Sequence, residues 1–140
     1  MNHFKLFAAA LALLIAVPAT SIQASTTDLE LPKAATEMSA ADWSAYSGHL
    51  VAAINSDHPG LRESALRYAI LYQDSVDLRG ATISMMKIYR EADNVKLRRL
   101  AVVALGSLHS PLVDGYLTRA VGFEKDEGIK RTIKAVLAVS

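Results

Sequence analysis

Asn94-Val95-Lys96-Leu97-Arg98-Arg99-Leu100-Ala101-Val102-Val103-Ala104-Leu105-Gly106 is the central copy of a segment that occurs three times in this sequence. Residues 126–138 align with it without gaps, and residues 58–70 form a weaker copy. Each copy starts at a capping position, has an aliphatic and a basic residue three positions on, and continues with small or aliphatic residues at spacings of three. Recurrence of one segment at intervals of this length, from residue 58 to 94 and from 94 to 126, is typical of stacked helical repeats.

The copies resemble the second helix of the HEAT-like repeat family, which reads roughly Asp-x-x-Val-Arg-x-x-Ala-x-x-Ala-Leu-Gly. The match is closest at Leu97-Arg98, Ala101 and Ala104-Leu105-Gly106. Two copies depart from the pattern, because Asn94 and His58 stand in place of the Asp. In the first copy Tyr68 also occupies a position where a small residue is usual, so that copy is expected to belong to an atypical end repeat.

The resemblance implies an all-α fold, a right-handed α-solenoid of about three HEAT-like helix pairs over residues 39–140. A compact six-helix bundle is the alternative, since both architectures use the same helix patterning. Architecture of this kind does not imply an activity.

Apolar residues recur at spacings of three and four from residue 41 onward, which predicts six amphipathic helices. Predicted starts lie at about residue 41, at Pro59, after a cap at Ser75, after Asn94, at Pro111 and after Asp126. The residues predicted to face the core are Trp43, Tyr46, Leu50 and Ile54; Leu61, Ala65, Tyr68, Ala69 and Tyr72; Leu78, Thr82, Met85, Met86 and Tyr89; Leu97, Leu100, Ala101, Ala104, Leu105 and Leu108; Val113, Tyr116, Leu117, Ala120 and Val121; and Ile129, Ile133, Val136 and Leu137.

Residues 1–24 are predicted to be a secretory signal peptide, because Lys5 precedes an apolar run that ends before Pro18. Cleavage is expected after Ala24, with Ser21 as a second candidate. A membrane anchor is the less favoured alternative, since the run is shorter than the roughly 20 residues that a bilayer core requires. Residues 25–38 are predicted to be a flexible leader, and 39–140 the helical repeat domain. The sequence has no cysteine, which excludes disulfides and a lipid anchor on cysteine.

The charge is nearly balanced, with 15 Lys and Arg against 14 Asp and Glu, which argues against nucleic acid as a partner. The protein is expected to be periplasmic or secreted and, after cleavage, not bound to a membrane. The charge is also uneven: residues 25–77 hold 3 basic and 8 acidic residues, whereas residues 78–140 hold 11 and 6. This asymmetry permits a homo-oligomer in which the acidic first pair of one copy meets the basic last pairs of another.

Basic residues gather where the even-numbered predicted helices begin, and stacking of the copies would align them along one edge. The predicted partner-binding residues are Arg62, Lys96, Arg98, Arg99, Lys130 and Arg131. Cations at a helix N-terminus are unfavourable unless acidic groups compensate them. The favoured interpretation is that local acids do so, namely Asp57, Asp93, Asp126 and Glu127. The alternative is that the edge docks an acidic segment of a partner.

The expected function is an exported module that binds another protein through its helical surface, without intrinsic catalysis. The sequence contains no nucleophile elbow, His-Glu-x-x-His pair, phosphate-binding glycine loop or dinucleotide motif, and no cofactor or metal is expected. Two alternatives stay open. One is an enzyme or an accessory subunit of an enzyme, since some HEAT-like relatives resemble bilin lyase subunits, and the other is a self-associating structural protein.

Overall fold

A computed structural model describes residues 35–140 and places six α-helices in them, with no strand in that range. The all-α prediction is therefore confirmed for this part of the chain. The signal-peptide prediction and most of the predicted leader lie outside the described residues. A short 3-10 helix, Ala35–Glu37, comes first. The six helices are α1 Ala40–Asn55, α2 Pro59–Leu71, α3 Thr82–Glu91, α4 Val95–Gly106, α5 Pro111–Ala120 and α6 Glu127–Val139.

Side-chain caps fix three helix starts where the sequence predicted them. Ser39 and Asp42 form a reciprocal capping box at α1, in which Ser39 Oγ accepts from the Asp42 amide at 3.2 Å. Asn94 caps α4 and Asp126 caps α6 by accepting hydrogen bonds from amides in the first turn. At α2 and α5 a proline opens the first turn instead, and neither preceding residue makes a side-chain cap bond.

The helices pack as consecutive pairs, α1 with α2, α3 with α4 and α5 with α6. Helix α4 lies between α2 and α6 and contacts both, whereas α2 and α6 make no close contact within the described range. The largest fully buried side chains come from every pair, so one apolar core runs through residues 50–136: Ile54, Leu66, Leu78, Met85, Leu105, Leu117, Ile129, Ile133, Val102 and Val113.

The predicted start of the third helix at Ser75 is wrong. The chain turns at residues 72–75, passes through a 3-10 helix at Arg79–Ala81 and becomes α-helical only at Thr82. The delay has a physical cause in the segment that precedes α3. The Asp77 amide donates to Ser47 Oγ on α1 at 3.0 Å, and Leu78 is buried in the core, so this segment is held against α1 before the helix begins.

The predicted core face of α2 is partly wrong. Leu61 and Tyr68 were expected inside but are 48% and 51% exposed, while Leu66, which was not predicted, is fully buried. The equivalent residues on the later helices are buried: Leu97 and Ala104 on α4, and Ile129 and Val136 on α6. We call these aligned positions the leading face of each helix. Only α2, which has no even-numbered helix before it in residues 35–140, leaves its leading face open.

The opposite side of each even-numbered helix shows the reverse order of burial. Leu66 on α2 and Val102 on α4 are fully buried, whereas Lys134 holds the aligned position on α6 and is exposed. We call these positions the trailing face. A Cβ built at Gly106 on α4 would lie 2.4 Å from Val136 Cγ1 on α6, so the two helices approach closely at that glycine. The trailing side of α4 thus packs on the leading face of α6.

His109 follows α4 with a φ of 44°, the one non-glycine positive φ among the described residues. This left-handed conformation is costly for a residue with a Cβ, and the ring Nδ1 lies 3.0 Å from the Ser107 carbonyl oxygen. We expect His109→Gly to stabilise the protein by about 0.5–1 kcal/mol, since relief of the strain exceeds the added freedom of the unfolded chain. Urea unfolding monitored by circular dichroism measures this, with His109→Val as the destabilising comparison. An unchanged or lower stability of His109→Gly would contradict the expectation that relief of strain is the larger effect.

Candidate functional site

The predicted basic residues fall into three groups: those paired with a local acid, one paired with Glu124, and those that are exposed without an ion pair. Arg62 pairs with Asp57 at 3.3 Å and Lys130 pairs with Glu127 at 2.6 Å, so both use local acids as the favoured interpretation proposed. Arg98 is also paired, but with Glu124, and not with Asp93 or Asp126. Asp126 instead accepts from the Ile129 amide of its own helix at 2.8 Å.

Arg98 and Glu124 form a largely buried ion pair between the start of α4 and the turn that precedes α6. Their side chains are 22% and 3% exposed, and Arg98 Nη2 donates to Glu124 Oε2 at 2.7 Å. Arg98 Nε donates to the Tyr89 carbonyl at 2.8 Å, and its guanidinium lies 5.7 Å from the Tyr89 ring centroid. The other Glu124 oxygen accepts the Asp126 amide at 2.9 Å. These contacts join α3, α4 and the start of α6.

The environment of this pair shifts two pKa values in opposite directions. Burial raises the pKa of Tyr89, and its hydrogen bond with Glu124 raises it further. Burial also opposes ionisation of Glu124, but the Asp126 amide, the Tyr89 hydroxyl and Arg98 outweigh it and hold the pKa of Glu124 below its usual range. At neutral pH Tyr89 is therefore a neutral donor and Glu124 a carboxylate.

Arg62 aligns with Arg98 but lacks the same partners. Its Nε is buried without a hydrogen-bond partner. The carbonyl of Ala53, which aligns with that of Tyr89, accepts from Ser56 instead. Ala92 stands where the alignment would place the equivalent of Glu124. The contacts of Arg98 with Tyr89 and Glu124 thus have no counterpart at Arg62.

Lys96, Arg99 and Arg131 are exposed, and none forms an ion pair within residues 35–140. Arg99 reaches toward α6, because a Cβ built at Gly128 would lie 2.5 Å from Arg99 Nη2. Of the six predicted residues, Arg98 alone lines the groove described next.

A groove of about 680 Å³ opens where α3 and α5 end and α4 and α6 begin. Four basic side chains and two acidic ones line it, together with aromatic residues, of which Phe123 is 86% exposed. The lining residues are Tyr89, Arg90, Arg98, Tyr116, Arg119, Ala120, Phe123, Glu124, Lys125 and Asp126. The sequence prediction missed Arg90, Arg119, Phe123 and Lys125, because they lie outside the repeated segment.

Two cations of the groove are free to meet a ligand. Arg119 and Lys125 are exposed and have no ion-pair partner in the described part of the chain. Arg90 pairs with the exposed Glu91 at 2.7 Å, and such surface pairs are weak enough to exchange. Because Arg98 neutralises Glu124 and Asp126 is engaged as a cap, the groove presents a net positive charge beside an exposed phenyl ring.

Two further observations bear on the kind of site. Residues 35–140 hold no group of three His, Cys, Asp or Glu side chains placed to bind a metal ion. A membrane-spanning helix would need a longer apolar run than any helix within residues 35–140 provides. Comparison of the chain with family models, curated proteins and solved structures gives no match.

Proposed function

We propose that this chain is an exported binding module, built of three stacked HEAT-like helix pairs, that binds an acidic segment of a partner protein. The observation that carries the proposal is the groove whose lining includes the unpaired Arg119 and Lys125 together with the exposed ring of Phe123. Aromatic and arginine side chains are the residue types that contribute most to binding at protein interfaces.

The burial of the even-numbered helices supports the stacked arrangement. In an array, each inner helix buries one side against the preceding repeat and the other against the following one, and the end repeats each leave one side open. The leading face is open only on α2, and the trailing face is open only on α6. A compact bundle, in which the first and last pairs also pack together, would favour contact between α2 and α6.

An acidic segment fits the groove through two kinds of contact. Its carboxylates would pair with Arg119 and Lys125, and an apolar side chain would cover Phe123 and Ala120. Opposite charges at the rim accelerate association and select partners. Neighbouring Tyr116 is held in place by packing edge-on against Tyr89, with ring centroids 6.1 Å apart.

The same groove argues against the alternative of an enzyme. A general acid or base works best when its pKa lies near the operating pH. The pKa shifts of Tyr89 and Glu124 move both groups away from neutrality, the first upward and the second downward. The polar atoms of both groups are also occupied by hydrogen bonds to structural partners, which favours a role in maintaining the shape of the groove.

Exposed Lys134 argues against the alternative of a self-associating array. Continued stacking would bury this ammonium group where Leu66 and Val102 are buried on the preceding helices. Burial of an unpaired charge is strongly unfavourable. A polar outer face of this kind is what terminates repeat arrays in solution.

Charge reversal at the groove tests the proposed function. We expect a peptide library panned on the protein to enrich acidic sequences that carry an apolar residue, with affinity falling at high salt. Arg119→Glu combined with Lys125→Glu should weaken the selected peptides at least about tenfold, because two favourable charge pairs become repulsive. Fluorescence polarisation with a labelled peptide measures the change.

The matched control is Lys96→Glu combined with Arg131→Glu, which makes the same change in net charge outside the groove. It should alter affinity only slightly. An equal loss of peptide affinity in both double variants would contradict the proposal that the groove binds acidic segments. Enrichment of peptides without acidic residues would contradict it as well. Arg98 is left unchanged because its ion pair is part of the fold.

A further inference from the structure

The cations that line the groove differ in how firmly the protein itself engages them. Arg98 is held in the buried ion pair described above. Arg119 and Lys125 are exposed and form no ion pair in the part of the chain that the structure describes. Arg90 lies between these extremes, because its ion-pair partner, Glu91, is itself exposed. The groove therefore has two free cations and a third that is held loosely.

The pair between Arg90 and Glu91 places an acid of the protein on a cation of the groove. Arg90 Nη2 donates to Glu91 Oε1 at 2.7 Å, and this hydrogen bond lowers the pKa of Glu91. Arg90 lines the groove, whereas Glu91 does not. Glu91 thus holds Arg90 from outside the groove lining, and a carboxylate of a bound ligand would compete with it for the same guanidinium group.

Both side chains of this pair can exchange partners at low cost. The Arg90 and Glu91 side chains are 67% and 48% exposed, so solvent already screens their attraction. Glu91 would keep a favourable neighbour after the exchange, because Lys87, one turn earlier on α3, adds to the lowering of its pKa. Arg90 already lies close to the groove wall, since its charge opposes the rise in the pKa of Tyr116 that burial causes.

We propose that Glu91 is a specificity-determining residue of the groove, an internal competitor that releases Arg90 only to a ligand with a third acidic group. This inference rests on the proposed function, because it concerns the same groove and the same class of ligand. Two carboxylates of a bound segment would pair with Arg119 and Lys125 without breaking any pair of the protein. A third carboxylate would have to displace Glu91 from Arg90, so its net contribution to affinity is smaller.

Two synthetic peptides and one substitution test the role of Glu91. Both peptides carry a fluorescent label and a leucine, one with two adjacent glutamates and the other with three. Glu91→Gln should strengthen binding of the three-glutamate peptide about twofold to fivefold, because Arg90 no longer has an internal partner. The two-glutamate peptide should gain less, since Arg119 and Lys125 already satisfy its two carboxylates. Fluorescence polarisation with the full chain measures both affinities.

Glu127→Gln is the matched control for this substitution. Glu127 pairs with Lys130 at 2.6 Å and is likewise exposed, but neither residue lines the groove. The control makes the same change in net charge, so it reports the effect of long-range electrostatics alone. If Glu91 acts through Arg90, then Glu91→Gln in an Arg90→Gln background should give no more than this control effect.

The possible outcomes separate this inference from the proposed function. If the peptides bind but Glu91→Gln gains no more affinity than Glu127→Gln, the role of Glu91 is overturned and acidic segments remain the ligand. Equal gains for the two peptides would overturn that role as well, because Arg90 would then not be withheld from a ligand with two acidic groups. Failure of both peptides to bind any of the proteins would overturn the proposed function, and this inference with it.

Discussion

Replacing Arg98 with alanine is expected to destabilise the protein by about 3 kcal/mol, because it leaves Glu124 charged, unpaired and 3% exposed. The substitution also frees the Tyr89 carbonyl and removes the guanidinium from the Tyr89 ring. Lysine should not substitute well, since one ammonium group cannot donate to Glu124 and Tyr89 in the forked geometry of arginine. Chemical unfolding of the variants measures the loss.

A double-mutant cycle isolates the energy of the pair. Arg98→Met, Glu124→Gln and the double variant should give a coupling energy of about 2 kcal/mol or more, since the carboxylate is desolvated. Lys130→Met and Glu127→Gln form the control cycle, because that pair is as short, at 2.6 Å, but its glutamate is 68% exposed. The control coupling should stay below about 0.5 kcal/mol. Equal couplings in the two cycles would contradict a structural role for the Arg98–Glu124 pair.

The same pair predicts a pH dependence. The folded state lowers the pKa of Glu124, so the pair stabilises the protein fully above the usual pKa of a glutamate. That contribution is lost as the pH falls through the lowered value, where Glu124 becomes protonated in the folded state. The stability difference between wild type and Glu124→Gln should therefore be constant at neutral pH and shrink in acid. Other carboxylates with a lowered pKa, such as Asp77 at about 2, titrate in both proteins and cancel.

Much of the helix layout was predictable because its determinants are local. Proline at a first helical position and side-chain caps at Ser39, Asn94 and Asp126 act within one turn of the chain. The start of α3 was not predictable in the same way. It depends on the contact between Asp77 and Ser47, which are thirty residues apart in sequence. Which face of α2 is buried likewise depends on neighbours that periodicity does not reveal.

The candidate site was predictable only in part. The repeated segment pointed to the edge where even-numbered helices begin, and Arg98 does line the groove there. Phe123, Glu124 and Lys125 lie in a connecting turn, where no periodic pattern marks them. Arg90 and Arg119 sit near the ends of odd-numbered helices, and the fold brings them to the groove from elsewhere in the sequence. A pattern within one helix does not show which residues of different helices and turns the fold brings together.

Gly106→Ala is the other substitution with a large expected effect. The HEAT-like pattern that this segment resembles ends in a glycine at this position, and the packing of α4 on α6 gives a physical reason for one here. An added Cβ would lie 2.4 Å from Cγ1 and 3.1 Å from Cγ2 of Val136. Valine in a helix is confined to one side-chain conformation, so Val136 cannot rotate away at low cost. We expect a net loss of about 1–3 kcal/mol despite the higher helix propensity of alanine.

Two other helical glycines provide matched controls. A Cβ added at Gly48 in α1 or at Gly115 in α5 would meet nothing within 4 Å. Alanine at those positions should stabilise the protein by about 0.5–1 kcal/mol through helix propensity alone. Thermal and urea unfolding of the three variants should therefore give opposite signs for Gly106 and for the controls. The double variant Gly106→Ala with Val136→Ala should recover part of the loss, because the smaller side chain makes room at the α4–α6 contact. A Gly106→Ala protein as stable as the two controls would mean that α4 and α6 do not approach as closely as the structure has them.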